Sequence, residues 1–217
     1  MIKNDNNNNN YKQVSRAAAK RTESSLKKGD TISALFVGVG GQGIILATTI
    51  VANTVINAGF DVKVSEVHGM AQRGGSVEGS VRFGKKVYSP TINKAEFIVA
   101  LEKLEALRFL PKLASGGSII VNNYEIFPSP VFSKEISYPD DIEPRIEKQV
   151  PNCFFADAVE IARSLKEIRV SNVVLLGIFS NFLPFENDFW TDAIKGSVPT
   201  KAADLNIEAF NRGKNLF

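Results

Sequence analysis

The run Thr31-Ile-Ser-Ala-Leu-Phe-Val-Gly38-Val39-Gly40-Gly41-Gln42-Gly43-Ile44-Ile45-Leu46-Ala47-Thr48-Thr49 decides the fold of this chain. Its first half, Ile32 to Val39, is apolar and ends in glycines, the pattern of a buried strand. Its second half opens a helix from Gln42 to Ala58, in which Ile45, Thr49, Ala52 and Ile56 fall at helical spacing. Gly59 supplies the stop. Asp61 to Val67 then alternates as a second strand. Strand, helix and strand within about 37 residues make a βαβ unit, which predicts that the two strands run parallel.

Outward from this unit the pattern becomes mixed. Val77, Gly79, Val81 and Phe83 alternate, and Gly84-Lys85-Lys86 reads as a turn into Val87-Tyr88. Glu96 to Leu101 and Ser118 to Val121 read as strands, with a helix from Glu102 to Leu113 interrupted near Pro111. Cys153 to Ala156 reads as a last strand. Residues 122–143, rich in Pro and Asn, show no period. Asp157 is placed to cap a helix reaching about Ile168, with Glu160 for a capping box. Ser171 to Phe182, Asp188 to Lys195 and Lys201 to Arg212 read as further helices. The expectation is an α/β fold: a three-layer α/β/α domain with a mixed, partly parallel sheet and a Rossmann-like start.

The 217 residues are 44% hydrophobic and 23% charged, which fits one globular domain with an appendage. Cys153 is the only cysteine, which excludes a disulfide scaffold and an iron–sulfur cluster held by four thiolates of this chain. One cysteine and one histidine are also too few for a zinc site. No apolar run approaches the ~20 residues that span a bilayer, so no membrane association is expected.

Residues 1–30 differ from the rest. They contain Asn6 to Asn10 and carry seven Lys/Arg against three Asp/Glu, a net +4, whereas the remainder carries nineteen against twenty, a net −1. The basic character belongs to this leader and gives no reason to expect nucleic acid as a partner. The leader is expected to be disordered, with at most a short helix around Val14 to Leu26, and residues 31–217 to form a single domain. Lys12 to Lys28 has the basic, Ser- and Ala-containing make-up of an organelle transit peptide but lacks the apolar core of a secretory signal.

Two segments carry candidate chemistry. Gly38-Val39-Gly40-Gly41-Gln42-Gly43 satisfies G-x-G-x-x-G after a strand and before a helix, where free N–H groups and the positive dipole end can hold a phosphate. Glu66 stands where a dinucleotide fold places its ribose-binding acid. The same glycines also serve if helix and sheet merely pack closely. The second segment follows β-like residues at the same sheet end: Glu66-Val-His68-Gly-Met-Ala-Gln72-Arg73-Gly74-Gly75-Ser76. An imidazole at His68 and the permanent planar cation of Arg73 are a pair suited to a carboxylate or phosphate. A hydrogen-bonded glycine-rich turn is the alternative. No nucleophile, base and orienting group assemble around a single histidine, so no catalytic residue is assigned. Trp190 reads as core or interface, Cys153 as a small buried hydrophobe, and Glu102 and Glu105 as solvated or helix-capping groups.

These two segments, with Val81-Arg-Phe-Gly84, Ala100-Leu-Glu-Lys-Leu-Glu-Ala-Leu-Arg108 and Asn206-Ile-Glu-Ala-Phe210, closely resemble the gamma-type subunit of 2-oxoacid:ferredoxin oxidoreductases. The His68-Gly-Met-Ala-Gln-Arg-Gly-Gly75 form is similar to the beta subunits of indolepyruvate:ferredoxin oxidoreductases in particular. The resemblance covers residues 32–213. It departs at Glu102-Lys103, where Glu-Pro is common, in a shorter stretch between Pro90 and Glu96, and around Ser171 to Asn187.

The resemblance implies a cytoplasmic, non-redox subunit that binds no cofactor alone. A large partner subunit would carry thiamine diphosphate, Mg and [4Fe-4S] clusters, and through it ferredoxin would accept electrons. Coenzyme A and a 2-oxoacid such as an aryl pyruvate would be the substrates. Loop composition and the shared sheet end lead to the expectation that Gly38, Gly40, Gly41, Gln42 and Gly43, together with His68, Gln72, Arg73, Gly74, Gly75 and Ser76, face that partner's site, with Arg73 and His68 toward the oxoacid carboxylate or the coenzyme A phosphates. Two other readings remain open at this point: a free-standing dinucleotide-binding α/β protein, and a non-catalytic scaffold with this fold.

Overall fold

The computed structural model describes residues 5–69, 75–127 and 137–217. Strand β1 (Thr31–Val39) is buried along almost its whole length and sits inside a six-stranded sheet. Its neighbours run in opposite senses. β3 (Ser76–Gly84) is antiparallel, with Thr31 opposite Gly84 and Val39 opposite Ser76, while β4 (Ala95–Ala100) is parallel, with Ala34 opposite Phe97. β2 (Asp61–His68) pairs antiparallel with β3, and β5 (Leu113–Asn122) and β6 (Cys153–Ala156) continue in parallel beyond β4. The order is β2-β3-β1-β4-β5-β6.

Side chains alternate across a strand, so β1 feeds two cores. Ala34 and Phe36 join α2 (Ile44–Asn57), α5 (Ala158–Ser164), α6 (Ser171–Ser180), α7 (Asn187–Ser197) and α8 (Thr200–Lys214) on one face. Leu35 and Val37 join α3 (Lys103–Phe109) and α4 (Ile142–Gln149) on the other. The three layers and the mixed sheet are those expected from the sequence.

The opening βαβ unit differs from expectation in its strand pairing. β1 and β2 point the same way, but β3 returns between them and pairs with both. The inner face of α2 is also not the expected one. Ile44, Ala47, Ile50, Val51 and Val55 are buried, whereas Ile45 and Ile56 are exposed. Val87-Tyr88 forms no strand: Val87 N–H donates to Asp61 Oδ2 at 2.8 Å, and Tyr88 is exposed. Asp157 makes no side-chain cap bond to α5; Ala158 N–H donates instead to Oδ1 of Asn122, at the end of β5.

The leader is corrected as well. Asp5–Lys28 is helix α1 rather than disordered. Tyr11, Ser15, Ala18, Thr22 and Leu26, spaced three or four apart, form one buried stripe. The polar composition describes the other face. Tyr11 is 1% exposed, and its ring packs edge-on to Phe154 and Phe182 and stacks on Phe217. Its hydroxyl donates to the carbonyl of Ile178 at 2.7 Å and accepts from Nδ2 of Asn181. Such ring pairs add about 0.5–1.5 kcal/mol each to the area buried. Burial, partly offset by the Asn181 bond, pushes the phenol pKa up. Among the described residues no helix is long and apolar enough to cross a membrane.

Candidate functional site at the carboxyl end of the sheet

The parallel strands β1, β4 and β5 end on the same side of the sheet, and the β2–β3 connection opens there too. Between β1 and β4 the connections diverge to opposite faces, to α2 and to α3. Open α/β sheets bind ligands at such a point.

Here the crevice is filled by Gln42. Its Oε1 accepts from Val39 N–H at 2.7 Å, and its Nε2 donates to the carbonyl of Leu101 at 2.9 Å, joining the ends of β1 and β4. Gly38 makes room for this side chain, since a Cβ there would lie 2.6 Å from Gln42 Oε1. Gly43 caps α2 at φ 78° with no side-chain bond, and its carbonyl accepts from Nδ2 of buried Asn172 on α6 at 3.0 Å. The glycine turn is thus built against the protein's own side chains. Glu66, the candidate ribose-binding acid, accepts from Thr48 Oγ1 at 3.1 Å and is separated from β1 by β3. The two halves of a dinucleotide site are therefore not brought together.

The glycine turn and the second candidate segment do meet. Gly40 N–H donates to the carbonyl of Gly75 at 2.9 Å, and Gly69 N–H to that of Ser76 at 2.8 Å. His68 is the last residue of β2, its backbone opposite Val77. Gln72, Arg73 and Gly74 lie outside the described residues, as does the side chain of His68. Gly41, at φ 98°, faces open space.

Ser76 leads to residues that sequence reasoning treated as bland. Its hydroxyl donates to Oε2 of Glu105, and Arg108 Nη1 lies 3.3 Å from Glu105 Oε1. Glu105 is 4% exposed and Glu102 1% exposed, so neither is solvated. Glu102 does cap α3, accepting from Glu105 N–H at 2.9 Å through Oε2. Its Oε1 accepts from the Tyr138 hydroxyl at 2.6 Å and from Ile126 N–H at 3.2 Å. Burial and the Glu102 bond push the Tyr138 phenol up, and burial raises the Glu105 carboxyl despite Ser76 and Arg108. The leucine before Glu102 is a second hub, because Asn122 Nδ2 also donates to the Leu101 carbonyl, at 3.1 Å. The Glu102 and Glu105 spacing signalled a cap; nothing local signalled the partner at Ser76.

Among the described residues no three His, Cys, Asp or Glu gather to hold a metal, and Cys153 stands alone as a thiol. The site offers backbone N–H groups, glycines and a buried carboxylate pair. That set suits docking and orientation. A cavity of about 200 Å³ lies at the opposite end of the sheet, between Ala18, Arg21 and Thr22 of α1 and Ile32, Glu96 and Gly116.

Residues 33–216 match the family described as pyruvate ferredoxin/flavodoxin oxidoreductase. The indolepyruvate oxidoreductase subunit IorB of Thermococcus kodakarensis is 38% identical over 186 residues, covering 82% of this chain and 92% of that one. The 2-oxoglutarate:ferredoxin oxidoreductase of Magnetococcus marinus, solved with 2-oxoglutarate, coenzyme A and succinyl-CoA, superposes with a TM-score of 0.66 at 19% identity, over 86% of this chain and 31% of that one. The keto/oxoacid ferredoxin oxidoreductase gamma subunit of Geobacter sulfurreducens superposes with a TM-score of 0.61 at 21% identity, over 84% of this chain and 95% of that one.

Proposed function

The chain belongs to the pyruvate ferredoxin/flavodoxin oxidoreductase family, and from that membership we propose that it is the non-redox subunit of a 2-oxoacid:ferredoxin oxidoreductase acting on aryl pyruvates such as indolepyruvate. The observation that carries this reading is the 38% identity to an indolepyruvate oxidoreductase subunit across 92% of that subunit's length. The overall reaction takes a 2-oxoacid and coenzyme A to carbon dioxide and an acyl-CoA. The two electrons released pass singly to two ferredoxins, and one proton is released.

A single cysteine does not fit a cluster on this chain. On this reading, as the family resemblance implies, thiamine diphosphate, Mg and [4Fe-4S] clusters belong to a larger partner subunit, which hands electrons to ferredoxin. This chain contributes position and electrostatics. The glycine turn and the His68–Ser76 connection face the partner's site. There Arg73, aided by His68, holds the oxoacid carboxylate or a coenzyme A phosphate, a group that a planar guanidinium grips with two parallel bonds. Residues 31–217 act as one domain in this role, in the cytoplasm, with α1 as an accessory.

The test is anaerobic affinity purification of this chain from its native host. A brown complex with a large thiamine-containing partner that reduces ferredoxin with indolepyruvate supports the reading. A colourless, partnerless chain overturns it in favour of a scaffold. In the complex, Arg73→Ala should raise the KM for the oxoacid or coenzyme A while assembly persists; unchanged kinetics sink the role given to Arg73.

A further inference from the structure

We propose that Glu105 is a positioning residue: by gripping the Ser76 hydroxyl it fixes the point at which the β2–β3 connection returns to the sheet and meets the glycine turn. The functional half of this inference rests on the reading of that connection as facing substrate or partner.

Glu105 stands at the third position of α3, where a glutamate ordinarily reaches back to the free N–H groups of its own helix start. Here Glu102 makes only the reciprocal half of that arrangement, accepting from the Glu105 N–H. The Glu105 carboxylate instead crosses from α3 to the first residue of β3. Ser76 is a junction. Its backbone lies opposite Val39, where β1 ends, and its carbonyl accepts from Gly69. The residue before it, Gly75, accepts from Gly40 of the glycine turn. One side-chain bond from α3 thus holds the residue that ties both candidate segments together.

Stability alone gives no reason to keep a carboxylate at this place. Glu105 is 4% exposed, its hydroxyl partner is neutral, and Arg108, its nearest cation, is mostly solvated with 56% of its side chain exposed. Burying a charge so weakly compensated costs folding free energy, and apolar replacements of buried ionic groups are often neutral or stabilising. A directional bond to the hydroxyl is what an apolar side chain cannot supply. Such bonds fix geometry at a cost in stability, as functional sites require.

The experiment compares Glu105→Leu, Ser76→Ala and Glu105→Gln in the full chain. The first readout is hydrogen exchange at the Gly40 and Gly69 amides. Glu105→Leu and Ser76→Ala should each speed exchange there about tenfold, the effect of losing one hydrogen bond, while the central amides of β1 and β4 keep their protection. Glu105→Gln keeps an acceptor for Ser76 and should restore slow exchange. Unchanged exchange at both glycines, or equal acceleration throughout the sheet, overturns the positioning role. The second readout is kinetics of the assembled complex, where the KM for oxoacid or coenzyme A should rise about tenfold with kcat nearly kept. Local exchange that rises with neither KM altered would leave the mechanical link standing. It would overturn the substrate-facing reading on which the functional half depends.

Discussion

The ring of Tyr11 is stacked on that of Phe217, their centroids 4.0 Å apart, so the added helix α1 closes on the last residue of the chain. This contact lies outside the stretch shared with the family, residues 33–216, at both of its ends. The leader is therefore part of the folded body.

Tyr11→Ala should destabilise the chain by about 3–5 kcal/mol, because a buried ring is removed from a cluster of Phe154, Phe182 and Phe217. Tyr11→Phe keeps the ring and leaves the Ile178 carbonyl without its hydroxyl donor, at a cost of about 1–3 kcal/mol. Denaturant unfolding of both variants checks the order. Equal stability of Tyr11→Ala and the unaltered chain would mean that α1 does not dock in solution.

Two glycines of one turn should respond differently. Gly41 and Gly43 both have positive φ, so alanine strains either by about 1–2 kcal/mol. At Gly41 the space for a methyl group is open, whereas at Gly43 it is occupied by the Asn172 side chain. Gly43→Ala should therefore lower the Tm clearly more than Gly41→Ala does. The reverse order would show that Asn172 moves aside freely.

Gln42 occupies the crevice that a phosphate would need. Calorimetric titration of the isolated chain with NAD should show no binding up to millimolar concentration. Gln42→Ala should cost about 1–3 kcal/mol, chiefly through the unpaired Val39 N–H, since the Leu101 carbonyl keeps its bond from Asn122. Micromolar NAD binding by the unaltered chain would revive the dinucleotide reading.

Burial, reinforced by the nearby Glu147 carboxylate, pushes the Cys153 thiol from its ordinary value of 9.0 up to about 11. A shift of two units leaves roughly a hundredfold less reactive thiolate at pH 8. Alkylation by iodoacetamide should accordingly be about a hundredfold slower than for an exposed cysteine, and should accelerate as pH rises towards 11. A pH–rate profile with its midpoint near 9 would refute the burial argument.

Local pattern carries much of the fold. The apolar run of β1, the glycine turn and the spacing of the later helices depend on neighbours a few residues away, and the structure places them close to expectation. Residues 1–30 look disordered by composition because mean polarity hides a stripe. Only Tyr11, Ser15, Ala18, Thr22 and Leu26 need suit the interior, and three of the five are small or polar. The cap of α5 was assigned to Asp157 by adjacency. The strand end at Asn122, 36 positions from Ala158, supplies the acceptor.

Composition, period and motif carry the α/β class and the family without coordinates, because each depends on residue types and short spacings. That β3 lies between β1 and β2, that Gln42 fills the switch-point crevice and that Glu105 reaches Ser76 emerges from packing. Strand order and side-chain partners depend on which surfaces exclude water together. That is a property of the packed whole, and pairs such as Ser76 and Glu105, 29 positions apart, carry no local signal of it.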